Sequence, residues 1–380
     1  MPELPEVQAL ADFLDAHARG RRIERVQILS FVALKSVTPP PSALVGRVIA
    51  QCTRRGKFLL LRMVPAEGSE GRSDTRGGMR AGTRAGALGD ARAGARGEPG
   101  DDARDGASPD GGPAAGRAAE ELWLAVHFAL AGWLRWHDPV TDGHRPDIRG
   151  AEPEGHGADA RDAARDGRSA GLRAVPPGAA ARSPRPGGPV AMRVELDDGA
   201  RFDLTEAGTR KRLAVHVVRA PEDVPGIARL GIDPLDPAFD AEAIGRILAG
   251  RTGQLKHLLA DQALIAGVGN AYSDEALHAA RLSPFRPAGN LAPGEVAALH
   301  AALLGVLREA LARNAGVPPD ELKDGKRAAM RVHGRTGLPC PVCGDTVREV
   351  AFSERSLQYC PTCQTGGRPL ADRRLSRLLR

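Results

Sequence analysis

The chain has 380 residues, with 53 lysines and arginines against 47 aspartates and glutamates, a net charge of +6 and 3% aromatic side chains. No apolar run is long enough to span a bilayer, and the N-terminal residues do not read as a secretory signal. A membrane protein and a secreted disulfide scaffold are therefore set aside, and the reducing cytoplasm is the expected location.

In chain order, Leu4, Val7, Ala11 and Leu14 recur at i, i+3, i+7 and i+10, which predicts an amphipathic helix over 3–18 ending at Gly20. Strands are predicted at 22–29, 47–52, 57–63, 121–128, 132–137, 190–196, 201–205 and 213–218, with Asp198-Gly199 as a hairpin turn between two of them. Two stretches, 66–120 and 141–189, are rich in Gly, Ala, Arg, Asp and Pro and nearly devoid of large apolar side chains. Such segments cannot bury enough surface to offset ordering entropy, so they are expected to be disordered insertions between strands. Many short strands separated by turns argue for a β-sandwich or barrel. After a Pro-rich connection at 221–237 the pattern becomes helical, at 240–249, 253–264, 270–281 and 293–314. Gly267-Val268-Gly269-Asn270 separates two of these helices, with Asn270 expected as an N-cap. The amides of that helix start could hold a phosphate, although a Gly-Asn turn is more often only a turn.

Cys340, Cys343, Cys360 and Cys363 form two Cys-x-x-Cys pairs at the spacing of a four-thiolate zinc site. Two disulfides are the alternative, disfavoured by the expected compartment. Pro341, Gly344, Pro361 and Gly367 supply the turns, and the intervening residues read as a hairpin: Thr346 to Phe352, a tip at Ser353-Glu354-Arg355, then Ser356 to Cys360. A module this small draws most of its folding free energy from the metal. Cys52, in an apolar strand, is expected to be a buried thiol. Residues 321–380 hold twelve basic and six acidic side chains, an electrostatic footprint suited to nucleic acid or, equally, a solvated basic surface. Arg355 at the hairpin tip could clamp phosphates in a bidentate fork, though an exposed arginine alone carries no assignment.

The first residues read Met-Pro-Glu-Leu-Pro-Glu-Val. Removal of Met1 would expose the secondary amine of Pro2 beside Glu3. An α-amino group titrates near ~8 rather than ~10.4 for lysine, so far more of it is neutral and nucleophilic at pH 7. Attack by such an amine on a sugar C1′ gives an iminium cation that acidifies C2′, the logic of Schiff-base catalysis. By itself the hexapeptide is equally an ordinary translation start.

Together with that terminus, four further segments resemble the formamidopyrimidine-DNA glycosylase/endonuclease VIII family. They are Arg55-Gly56-Lys57-Phe58-Leu59-Leu60-Leu61, His127-Phe128-Ala129-Leu130-Ala131-Gly132, Asp261-Gln262 through Asn270-Ala271-Tyr272-Ser273-Asp274-Glu275, and Val332-His333-Gly334-Arg335 before the cysteines. They occur in family order and cover essentially all of the chain outside the two insertions. The resemblance implies an α+β multidomain fold: an N-terminal β-sandwich with a leading helix (1–219), a linker (220–239), a helix-two-turns-helix domain (240–328) and a C-terminal zinc-finger hairpin (329–380). It implies one structural Zn2+, double-stranded DNA with damaged bases or abasic sites as partner, and a monomer of the bacterial cytoplasm or nucleoid. The activity implied is a bifunctional glycosylase and abasic-site lyase. A non-catalytic reader of damaged DNA with the same fold is the alternative.

Carried over residue by residue, Pro2 resembles the nucleophile, Glu3 the acid that protonates the sugar ring oxygen, and Glu6 a supporting carboxylate. Lys57 resembles the lysine that contacts phosphate and moves protons in β-elimination. Asn270 and Arg355 match the phosphate clamp, Arg355 also the residue of δ-elimination, and Arg251 and Lys256 further backbone contacts. His127 falls in a matching DNA-facing segment. The resemblance is imperfect where the family fills the vacated base stack. Methionine is replaced by Leu130, and the arginine–phenylalanine pair aligns with Glu206-Ala207-Gly208-Thr209-Arg210-Lys211, leaving Arg210 to reach the orphan base. The loop at 316–329 is short and Lys-rich. These departures point to an endonuclease VIII-like subgroup and to oxidised pyrimidines, ring-opened purines or abasic sites.

Overall fold

The structure, a computed structural model, describes residues 1–66, 121–139, 188–352 and 356–371. The two expected insertions lie outside the described residues apart from Ala66, Gly188 and Pro189, as does Arg355.

Helix α1 (Leu4–Ala18) opens the chain. Eight strands follow: β1 (Ile23–Ile28), β2 (Arg47–Arg55), β3 (Phe58–Pro65), β4 (Leu122–His127), β5 (Gly132–His137), β6 (Val190–Leu196), β7 (Arg201–Glu206) and β8 (Ala214–Val218). They form two four-stranded sheets, β1-β6-β7-β5 and β2-β3-β4-β8, with antiparallel pairing throughout. The period-2 alternation explains the sandwich. Leu59, Leu61, Leu124 and Val126 face Val194, Phe202 and Leu204 in one core, closed at the edge by Val7, Leu10 and Leu14 of α1. The intervening Leu60 and Ala125 point outward to a second cluster with Val224 and Ile227, so β3 and β4 are buried on both faces. Each such fully buried leucine contributes roughly 1.5–3 kcal/mol of burial.

The helical part contains α2 (Pro225–Ala228), α3 (Ala241–Leu248), α4 (Leu255–Leu259), α5 (Asn270–Ala279), α6 (Pro293–Asn314) and α7 (Leu322–Ala329). Its core joins Leu255, Leu259, Val268, Tyr272, Leu303 and Leu307. Two expectations fail here. The helix expected over 253–264 stops at Leu259, because Asp261 accepts the Ala263 N–H at 3.0 Å and offers the backbone a turn instead. The Lys-rich loop expected at 316–329 is largely helix α7. The last module pairs β9 (Arg348–Ala351) with β10 (Ser356–Tyr359) and ends in the short helix α8 (Pro361–Thr365).

Helix α1 belongs to both halves, packing on β2 and β3 and also on α6. Its first residue donates to the Gly267 carbonyl at 3.0 Å. Gly267 sits at φ +87°, and a Cβ there would lie 2.8 Å from that of Leu4, so this turn closes on the helix only as glycine. No helix among the described residues is long and apolar enough to cross a membrane.

Candidate active site and zinc module

The N-terminus of α1 meets the N-terminus of α5 at a cavity of about 630 Å³. Pro2, Glu3 and Glu6 form one wall, Leu130 and Trp133 a second, Asn270 and Ala271 a third, and α7 with His333 to Arg335 the remainder. Pro2 is buried while Met1, still attached, is 42% exposed.

Glu3 is 2% exposed and accepts the Ala271 N–H at 2.9 Å and, more weakly, the Tyr272 N–H at 3.4 Å. It therefore occupies the amide end of α5 from a distant part of the chain, where the helix dipole favours negative charge. Burial opposes its ionisation. Lys326, Lys57 and the Ala271 amide outweigh that cost and hold its carboxyl down at about 2. Two expectations are corrected by this contact. Asn270 is the first helical residue and the cap position is Gly269. The anion at the helix start is Glu3, so the Ala271 and Tyr272 amides are not open to a phosphate.

Gly269 allows the approach. A Cβ on it would stand 2.5 Å from Glu3 Cδ and 2.6 Å from Lys57 Nζ, which places both groups against one backbone atom. Lys57 follows Gly56 in the β2–β3 turn and is 7% exposed. That turn is braced by Arg54, a residue that the sequence reading missed. Its guanidinium donates to the Gly56 carbonyl and to Gln8 Oε1, each at 3.0 Å, and pairs with Asp233 at 2.8 Å.

Glu6 lies deeper. Its carboxylate accepts the Glu3 N–H at 2.8 Å, the Tyr272 hydroxyl at 2.5 Å and the Lys326 ammonium at 2.7 Å. Lys326 was also missed, because its helix was read as a loop. Glu275 accepts the backbone N–H groups of Arg331, Val332 and His333, each at 2.9 Å, which brings His333 to the cavity.

The remaining candidates divide. Leu130, at a tight turn after β4, is 62% exposed at the cavity edge, as an apolar wedge requires. Asn270 is half-buried in the cavity wall, and its amide donates to the Ser356 carbonyl at 2.8 Å. That bond ties α5 to the residue that follows the hairpin tip. Arg210 is exposed in the segment after β7. The same segment is shaped by Glu206, which accepts the Leu213 N–H at 2.8 Å. Arg251 is exposed, outside the cavity, with Nε donating to the Ile247 carbonyl at 2.7 Å.

Lys256 does not contact a phosphate from where it stands. It is 4% exposed, pairs with Asp274 at 2.6 Å and donates to the Asn270 carbonyl and the Ser273 hydroxyl, so it is a structural cation inside the helical core. His127 rests against Phe58 at 4.8 Å. Burial, then Lys57, then His216 push its imidazole down to about 4, so it is uncharged at neutral pH and brings no cation to DNA.

The Sγ atoms of Cys340, Cys343, Cys360 and Cys363 all lie within 4.8 Å of one another, and none is in a disulfide. Cys343–Cys360 and Cys340–Cys363 separations are 3.3 and 3.9 Å. A tetrahedron with Zn–S arms of ~2.3 Å has edges of about 3.8 Å, so the four thiolates fit one structural Zn2+. His278 on α5 places Nε2 3.3 Å from Cys340 Sγ, an outer-shell partner that joins finger to helix.

Sequence profiles match along most of the chain: the formamidopyrimidine-DNA glycosylase N-terminal domain over residues 1–168, its H2TH domain over 230–318, and the zinc finger found in FPG and IleRS over 337–366. The formamidopyrimidine-DNA glycosylase of Symbiobacterium thermophilum is 36% identical over 374 residues, covering 96% of this chain and 89% of that protein. The chain belongs to the formamidopyrimidine-DNA glycosylase family. Among solved structures, the MutM (FPG) protein of Thermus thermophilus matches with a TM-score of 0.60 and 25% identity, over 97% of this chain and all of that one. The Lactococcus lactis Fpg, solved in complex with abasic-site DNA, matches in fold with a TM-score of 0.61 at 17% identity, over 96% and 99%. The sandwich, the H2TH domain and the zinc finger are thus the family's fold, and the protein is a DNA glycosylase of base excision repair. The leaning toward an endonuclease VIII-like subgroup rests only on Leu130, residues 206–211 and residues 316–329.

Proposed function

We propose that this protein excises damaged bases and then nicks the abasic site, using Pro2 as an N-terminal nucleophile exposed by removal of Met1. The observation that carries the reading is the convergence of Pro2, Glu3 and Lys57 at the amide end of α5, beside a cavity with an exposed apolar wedge. The Lactococcus relative, which holds abasic-site DNA in the same fold, supports DNA as the partner.

In this mechanism the Pro2 nitrogen attacks C1′ of a nucleotide turned out of the stack, with Leu130 filling the gap left behind. As the new N–C1′ bond forms, the C1′–base bond breaks and the base leaves with its electron pair, taking a proton from solvent, while the amine releases its own proton. Glu3 is ionised in the free protein, so it acts first as the acceptor of that proton. It then delivers the proton to the ring oxygen as C1′–O4′ breaks and the iminium forms. The cationic iminium draws electrons from C2′–H. Loss of that proton expels the 3′-phosphate, with Lys57 as the nearby amine that manages proton transfer. A second elimination, at the 5′-phosphate, is the role proposed for Arg355. Asn270, Arg251 and Arg210 hold the strand, and Glu6 holds α1 in place.

Borohydride reduces the iminium to a stable amine and so reports the step directly. With abasic-site DNA, a covalent adduct is expected for the wild type and none for Pro2→Gly, and intact-mass analysis is expected to show a chain lacking Met1. Tight binding of that DNA without any adduct would identify a passive reader of damage instead.

A further inference from the structure

The wall of the cavity facing α1 is helix α7, and one side chain on it makes contacts that the mechanism above does not use. The Lys326 ammonium lies 2.7 Å from Glu6 Oε2 and 4.0 Å from Glu3 Oε1, donates to the Met1 carbonyl at 3.3 Å, and sits 4.7 Å above the Tyr272 ring. Its side chain is only 14% exposed. The carbonyl carbon of Met1 is bonded to the Pro2 nitrogen, so this cation reaches the peptide unit from which the nucleophilic amine would be released.

We propose that Lys326 is a positioning residue that keeps the N-terminal amine unprotonated while keeping Glu3 ionised, in the same pH range. The inference rests on Pro2 being the nucleophile. Without Lys326, the amine would face the carboxylates of Glu3 and Glu6, which stabilise an ammonium ion, and an ammonium ion cannot attack C1′. A fixed positive charge among those carboxylates offsets their pull and adds direct repulsion against a second cation. The same charge opposes protonation of Glu3, which must be a carboxylate to accept the amine's proton. The sign is the same at the neighbouring α-amine of Met1, which burial and then Lys326 lower while Glu3 and Glu6 raise it.

Other groups face the same point. Lys57 approaches from the β2–β3 turn, Lys323 and Arg327 from α7, and His333 and Arg335 from the segment before the finger. The Tyr272 hydroxyl, from α5, donates to Glu6. Lys323 is held 4.4 Å over the Trp133 ring and acts on the Met1 α-amine more weakly than Lys326. Removal of Lys326 should therefore displace the amine's titration rather than abolish the reaction.

The test is the pH dependence of single-turnover borohydride trapping on abasic-site DNA, for wild type, Lys326→Gln, Lys326→Arg and Lys323→Gln. An opposite or like charge within a few ångströms moves a pKa by about 1–3 units, so the acid limb for Lys326→Gln is expected about one unit higher. Trapping is then about tenfold slower below the midpoint and equal to wild type on the alkaline plateau. Lys326→Arg should restore the limb, and Lys323→Gln should move it less. A Lys326→Gln profile with an unmoved midpoint overturns the proposal, whether the rates are normal or uniformly reduced. Absence of any adduct with wild type would instead overturn the Pro2 reading on which it stands.

Discussion

Gly269 marks the point where one residue type decides the geometry of the site. The carboxylate of Glu3 is locked by the Ala271 amide, and Lys57 is buried beside it, so neither can step aside for a methyl group. Gly269→Ala is expected to cost about 1–3 kcal/mol through overpacking. It should also slow abasic-site trapping at least tenfold, because the displaced groups are the acceptor and the amine of the proposed chemistry. Denaturant unfolding and single-turnover kinetics check the two effects, and a variant normal in both would refute the close-approach argument. The four cysteines were legible from their spacing, and Pro2 and Glu3 were candidates from the terminal pattern and the family resemblance. Arg54 and Lys326 were not, because nothing local to an arginine in a strand or a lysine in a polar segment says what it will face after folding.

At the scale of elements, α5 is where the sequence reading and the structure diverge most usefully. Its start was expected to be capped by Asn270, with amides that could hold a phosphate or belong to an ordinary turn. It is covered instead by Glu3, more than two hundred residues earlier in the chain, while Lys256 neutralises Asp274 inside it. Removing one partner of such a buried pair leaves an uncompensated charge and costs about 3–5 kcal/mol. Lys256→Ala is accordingly expected to lower stability by that amount while leaving the slope of DNA affinity against salt unchanged, since the slope counts phosphate contacts. A salt slope shallower by about one would restore Lys256 as a phosphate contact. The truncated helix at 253–264 has a similar cause. Apolar periodicity continued past Leu259, but a short-range hydrogen bond from the Ala263 N–H to the Asp261 carboxylate competes with the helix, and periodicity does not register it.

For the whole molecule, the finger is tied to the rest chiefly through α5. Asn270 to Ser356, Asp274 to the Gln358 N–H, Glu275 to the N–H groups of residues 331–333 and His278 to Cys340 all run to that helix, and Gln364 donates to the Leu282 carbonyl just beyond it. Its apolar clusters are small, one centred on Val332, Val347, Cys340 and Cys360 and one on Val350, Leu357 and Tyr359 against Phe285. Metal binding worth roughly 10–16 kcal/mol in isolated zinc modules therefore supplies most of its stability. Stripping the metal with a chelator, or Cys360→Ala, is expected to unfold the finger and weaken DNA binding by at least about a hundredfold. The sandwich, with its separate core, should keep its melting transition. Fluorescence anisotropy alongside a colorimetric zinc assay tests this, and full affinity at zero bound metal would contradict it.

From the sequence by itself came the modules, their order, the eight strands, the metal ligands and the family, because these depend on local periodicity, turn residues and fixed spacings. Tertiary structure alone decided what surrounds the N-terminus. The environment of Glu3 is assembled from α1, α5, α7 and the β2–β3 turn. Charge and hydrogen bonding act through space over a few ångströms, whatever the separation along the chain. The same lysine can be a DNA contact, a core cation like Lys256 or a neighbour of the nucleophile like Lys326, and only packing distinguishes them.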